Sequence, residues 1–78
     1  MSNLKLYREA FVESFELNLD NVESLEYQSI KQWDSVGHMV LISALEEKFD
    51  LMLDMDDIID FSSYATGKDI LSKYKVEF

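Results

Sequence analysis

Apolar side chains in this chain recur three and four residues apart, and almost nowhere do they alternate as a half-buried strand requires. Leu4, Tyr7, Phe11 and Phe15 make one stripe, with Lys5, Arg8, Glu9, Glu13 and Glu16 off it. A second helix is expected from Asp34/Ser35 to about Asp50, with Leu41, Ile42, Leu45 and Phe49 on one face. A short third fits Met55–Asp60, where acids at the first turn suit the helix macrodipole. The last is expected after Ser62/Ser63, both good cap residues, and carries Tyr64, Ile70, Leu71 and Tyr74. The competing strand, Asp50–Met55 with Leu51, Leu53 and Met55 apolar, is short and has no partner. The expected fold class is therefore all-α: a small four-helix bundle of three longer helices and one short third helix. A long loop separates the first two helices. It scatters Leu19, Val22, Leu25, Tyr27, Ile30 and Trp33 among Asn18, Asp20, Asn21 and Ser24, so it should lie against the core. There is room in it for one extra helical turn.

Seventy-eight residues suffice for one domain, 1–78, and a hydrophobic content of 47% suffices for a packed core. The chain has no Cys, which excludes disulfides, thiolate metal sites and Cys nucleophiles and suits a reducing, cytoplasmic setting. The longest apolar run, Met39 to Ile42, is far too short for a membrane span. Residues 1–17 lack the basic-then-apolar layout of a signal peptide. Sixteen acids against seven bases give a net charge of −9, which argues against nucleic acid as a partner. Residues 34–60 hold eight of those acids and one base, Lys48, so the middle third projects most of the negative field. That field either keeps a small protein soluble or docks basic partners. In the second case Glu47, Asp54, Asp56 and Asp57 are the acids expected to steer them.

On a helical wheel Val36, Met39 and Val40 fall opposite the core stripe of the second helix, with Ser43 and Glu47 continuing their line. A helix of a small bundle needs one buried stripe, so this second patch is either covered by the loop or meets another protein. It lies directly below Ser35. Ser35 stands behind Asp34 at the helix start, where either side chain can cap a free backbone N–H. The same place favours negative charge, so a phosphate ester on Ser35 Oγ would be stabilised there.

Other constellations are weak. Asp34, Ser35 and His38 have the residue types of a hydrolytic triad, but no oxyanion hole or pocket accompanies them, so no catalysis is expected. His38 points toward the Leu41/Leu45 side and reads as a partly buried packing residue. The run Asp54 to Asp60 has calcium-loop flavour, yet the places for the required Gly and Glu hold Ile59 and Ala65, so no metal site is expected. Gly37 costs about 1 kcal/mol inside a helix relative to Ala and reads as room for an enzyme or an attached group to approach closely beside Ser35, or as drift. Gly67 has no evident role.

The stretch WDSVGHMVLISALEEKFDLMLDMDDIIDFSS resembles the second-to-third-helix region of acyl carrier proteins. The matching features are Asp34-Ser35 with apolar Val36, Leu41-Ile42, Ala44-Leu45-Glu46-Glu47 and Phe49-Asp50. Leu53, an acidic short helix and a Ser pair before the last helix follow in order. The resemblance covers roughly half the chain. It implies that a phosphopantetheinyl transferase attaches phosphopantetheine from coenzyme A to Ser35, with Asp34 as the motif residue before it. It further implies a non-catalytic, monomeric carrier that holds acyl groups as thioesters. Its partners would be acyl-loading, acyl-transfer or synthase enzymes with basic docking surfaces. The chain departs from fatty-acid carriers in having Lys31-Gln32-Trp33 before the Asp-Ser pair, Gly37-His38 after Val36, and Val40 where an exposed Glu is common. These departures point to a specialised rather than a housekeeping member. Aminoacyl cargo, D-alanyl or peptidyl, stays open, as does an unmodified acidic interaction domain.

Overall fold

The computed structural model describes residues 2–17 and 19–78, without the side chains of residues 19–21. The expected core-facing role of Leu19 therefore lies outside the described residues. Helix α1 spans Asn3–Phe15, α2 Ser35–Phe49, α3 Met55–Asp60 and α4 Tyr64–Ser72, and a 3-10 turn covers Leu19–Ser24. No strand occurs among the described residues, and the protein is a small all-α bundle. No helix among them is long and apolar enough to cross a membrane.

Three helix starts are capped by side chains whose oxygens accept a first-turn N–H: Ser2 from Lys5, Asp34 from Gly37 and Ser63 from Thr66. Two helix ends, Glu16 and Asp50, turn left-handed at φ 56° and 52° without glycine. Each costs about 1 kcal/mol relative to the glycine usual at such a place. α1 buries Tyr7, Ala10, Phe11 and Phe15, whereas Leu4, expected in the stripe, is exposed because the first turn overruns the core.

The loop between α1 and α2 is stitched down rather than free. Tyr27 N donates to Ser62 O at 2.8 Å and Tyr64 N to Leu25 O at 3.0 Å, around an isolated antiparallel bridge between Glu26 and Ser63. Val22, Leu25 and Trp33 are thereby buried. Trp33 stacks on Phe15 at 5.4 Å and meets Phe11 edge-on at 5.6 Å. The loop thus supplies the largest side chain of the core.

Tyr7 closes the other end of this aromatic cluster. Its hydroxyl donates to Tyr64 O at 2.6 Å, and burial pushes the phenol far above its ordinary range, so it stays a donor. α4 settles onto Tyr7 and Phe61 at Gly67. A Cβ there would lie 2.2 Å from the Phe61 ring and 2.3 Å from the Tyr7 hydroxyl. Close helix approach is the role of Gly67 that the chain alone did not disclose.

Candidate functional site

Asp34 and Ser35 divide their labour. The Asp34 carboxylate accepts from Gly37 N at 2.8 Å and so performs the capping. Ser35 is the first helical residue, its side chain is exposed, and its Oγ lies 3.2 Å from the Tyr27 hydroxyl. A cleft of about 430 Å³ opens beside it, between the start of α2 and α3. Tyr27, Ser35 and His38 line one part of it, Met39, Met55 and Ile59 the apolar part.

His38 joins two elements that the sequence keeps far apart. The Trp33 indole N–H donates to Nδ1 at 3.0 Å, and Nε2 lies 2.8 Å from Ile58 O. An indole is a donor only, so Nδ1 must accept, and Nε2 then carries the proton and donates to Ile58 O. Both ring nitrogens are engaged away from Ser35. Contrary to the expectation from sequence, a pocket does adjoin Ser35 and His38, but both imidazole nitrogens are bonded elsewhere and no serine–histidine hydrogen bond joins the triad residues. The imidazole instead ties α3 to the loop and to α2.

Gly37 explains how the loop lies so close. A Cβ on it would fall 1.8 Å from the Gln32 carbonyl oxygen. Only the absence of a side chain lets residues 28–33 rest on the first turn of α2 and seat Trp33 beneath it.

The second face of α2 is open. Val36, Met39 and Val40 are 74%, 51% and 47% exposed, so the loop does not cover them. Exposed Met55 and Ile59 of α3 extend the apolar surface to the far side of the cleft. Of the acids expected to steer partners, Glu47, Asp54 and Asp56 are exposed. Asp57 is not. It is 8% exposed, and its carboxylate accepts from Lys73 Nζ and from the Tyr74 hydroxyl. Tyr74 in turn accepts from Asp54 N at 2.9 Å, so α3 is clasped to the chain beyond α4. That commitment removes Asp57 from the outward set, because a paired inward carboxylate presents little field to a partner.

The clasp carries a pH signature. The hydrogen bonds from Lys73 and Tyr74 hold the Asp57 carboxyl below the usual carboxylate range. Its contribution to stability is therefore complete above the unfolded carboxyl value, about pH 4, and is lost as pH falls through the lower folded value. Asp57 also holds the Lys73 ammonium above its ordinary range, a contribution present below the unfolded value and lost as pH rises through the folded one. Asp57→Asn should melt below wild type at neutral pH, and the gap should close in acid. Thermal melts of both proteins from pH 7 to pH 2 check this; a gap independent of pH contradicts the assignment.

Comparison of the chain with family models, with curated proteins and with solved structures returned no match.

Proposed function

We propose that the protein is a carrier, esterified at Ser35 Oγ by a phosphopantetheine arm and presenting the arm's cargo to partner enzymes. The identity of the arm rests on the resemblance of residues 33–63 to acyl carrier proteins, and the structural observation that supports it is that Asp34 takes the capping bond, which leaves an exposed serine at a helix start beside an apolar cleft. A serine that caps would be explained by the cap; this one is not. The residues fit a phosphodiester: Ser35 is exposed, the first turn of α2 favours negative charge, and Tyr27 offers an O–H within reach. When bound, the arm supplies a thiol, which the chain's own composition lacks, to hold an acyl or aminoacyl group as a thioester. The chain's task is to hold the attachment point at a fixed place on a rigid helix. Tethering then raises the local concentration of cargo at each enzyme. Intact mass after exposure to a phosphopantetheinyl transferase and coenzyme A tests the reading. A gain of about 340 Da at Ser35, the mass of the whole phosphopantetheine arm, is expected, and an unchanged mass refutes it.

The partner surface in this reading is the open face of α2, with Val36, Met39 and Val40 next to the attachment point and Glu47, Asp54 and Asp56 further out. Exposed charge pairs are worth about 0–1 kcal/mol each, so the acids act mainly on encounter, while buried apolar contact sets residence. Val40→Glu should leave the melting temperature nearly unchanged, since surface substitutions usually stay within about 0.5 kcal/mol. It should weaken binding to the partner enzyme about fivefold or more, the equivalent of roughly 1 kcal/mol. Dissociation constants at two salt concentrations decide it. A variant that unfolds while its folded fraction binds normally would make Val40 a core residue.

The same face favours a second reading, an acidic interaction domain that works unmodified. Unchanged mass together with tight binding of a basic partner would establish it.

A further inference from the structure

The Tyr27 side chain is anchored for a purpose the core does not explain. Its backbone is pinned on both sides: Tyr27 N donates to Ser62 O at 2.8 Å, and Gln28 N to Trp33 O at 2.9 Å. Gln28 turns left-handed at φ 67°, which folds the chain back immediately after it. The ring meets Trp33 edge-on at 6.4 Å and His38 at 5.6 Å. Phenylalanine would make the same ring contacts. Tyr27 is 37% exposed, so it is not a core residue whose hydroxyl is held by burial. What the hydroxyl adds is its position, 3.2 Å from Ser35 Oγ at the rim of the cleft both residues line.

We propose that Tyr27 is a positioning residue for the group carried on Ser35, donating its O–H to the phosphodiester and holding the first bonds of the arm toward the cleft. This rests on the carrier reading above. The chemistry fixes the direction of the bond. In the free protein either hydroxyl can donate. Once Ser35 is esterified its oxygen has no proton, and phosphate oxygens only accept, so Tyr27 becomes the donor. A hydrogen bond to a charged acceptor is stronger than one between two hydroxyls, so the contact tightens on modification. Asp34 Oδ1 accepts from Gly37 N, and the acceptor the Tyr27 hydroxyl lies beside is Ser35 Oγ. An arm held at this end lies beside Met39, Met55 and Ile59 rather than extending into water.

The test compares wild type with Tyr27→Phe, each loaded from coenzyme A by a transferase. Both should gain the same mass, and before loading both should show the same Met55 and Ile59 side-chain resonances. After loading, the phosphodiester phosphorus resonance should move in the Phe variant. Nuclear Overhauser contacts from the arm to Met55 and Ile59 should fall about two- to tenfold, the loss expected for one hydrogen bond. An unmoved phosphorus resonance with undiminished contacts overturns the role of Tyr27 and leaves the carrier reading intact. Displaced Met55 and Ile59 resonances already present before loading also overturn it, since the hydroxyl would then be structural. Wild type that gains no mass overturns the carrier reading itself.

Discussion

Alanine at position 35 should leave a protein that melts like wild type and gains no mass from coenzyme A and transferase. The two halves of this result come from different atoms. Stability is spared because the cap belongs to Asp34, whose carboxylate holds Gly37 N whether or not Ser35 has a hydroxyl. Alanine is also the best helix former, and at an exposed first-turn position the change should stay within about 0.5 kcal/mol. The bond lost to Tyr27 is between exposed groups and is replaced by water. Loading is lost completely, because no ester forms without the oxygen. Melting and intact mass on one preparation check both. Mass gained by the Ala variant at another residue would remove Ser35 from the site.

Gly37→Ala should do the opposite and damage the fold. On an isolated helix the substitution would help by about 1 kcal/mol. Here the new Cβ would sit 1.8 Å from the Gln32 carbonyl oxygen and 3.3 Å from the Phe15 ring. The first of these is backbone, so no rotamer change relieves it. Either residues 28–33 lift or the start of α2 tilts, and both displace Trp33 from the ring stack. Overpacking of this kind costs about 1–3 kcal/mol, and a backbone clash belongs at or above the upper end, so a net loss of about 2 kcal/mol is expected. For a domain of this size that lowers the melting temperature by roughly 8–16 °C. A variant melting at or above wild type would show that the loop yields freely and that the contact does not constrain it.

The helices were legible because a bundle helix needs only a local period. The core face Leu41, Ile42 and Leu45 and the apolar patch of Val36, Met39 and Val40 follow from spacing, and Met55–Asp60 from the acids of its first turn. What spacing cannot convey is which distant group a side chain meets. Asp57 looks like its neighbours Asp54 and Asp56 until Lys73 and Tyr74 arrive from beyond α4. His38 is placed correctly on the wheel, yet its two partners, Trp33 and Ile58, come from the loop and from α3. The two glycines are required by close approach between segments, so their need is a tertiary fact. In the sequence Tyr27 is one more apolar residue of a loop expected to face the core. Its hydroxyl gains meaning only once the loop has folded back to Ser35.

The chain contains a single tryptophan, and the fold has placed it one residue from Asp34, under Tyr27, with its indole N–H on the imidazole that holds α3. The protein therefore has a built-in optical reporter of its own site. The buried indole should emit at short wavelength, and the His38 ring stacks on it with centroids 6.2 Å apart. Movement of α3 pulls on Ile58 O and hence on His38, and a group attached at Ser35 perturbs Tyr27, which touches the same indole. If the carrier reading holds, attachment at Ser35 and docking of a partner should each change this emission, without a dye and without altering a residue.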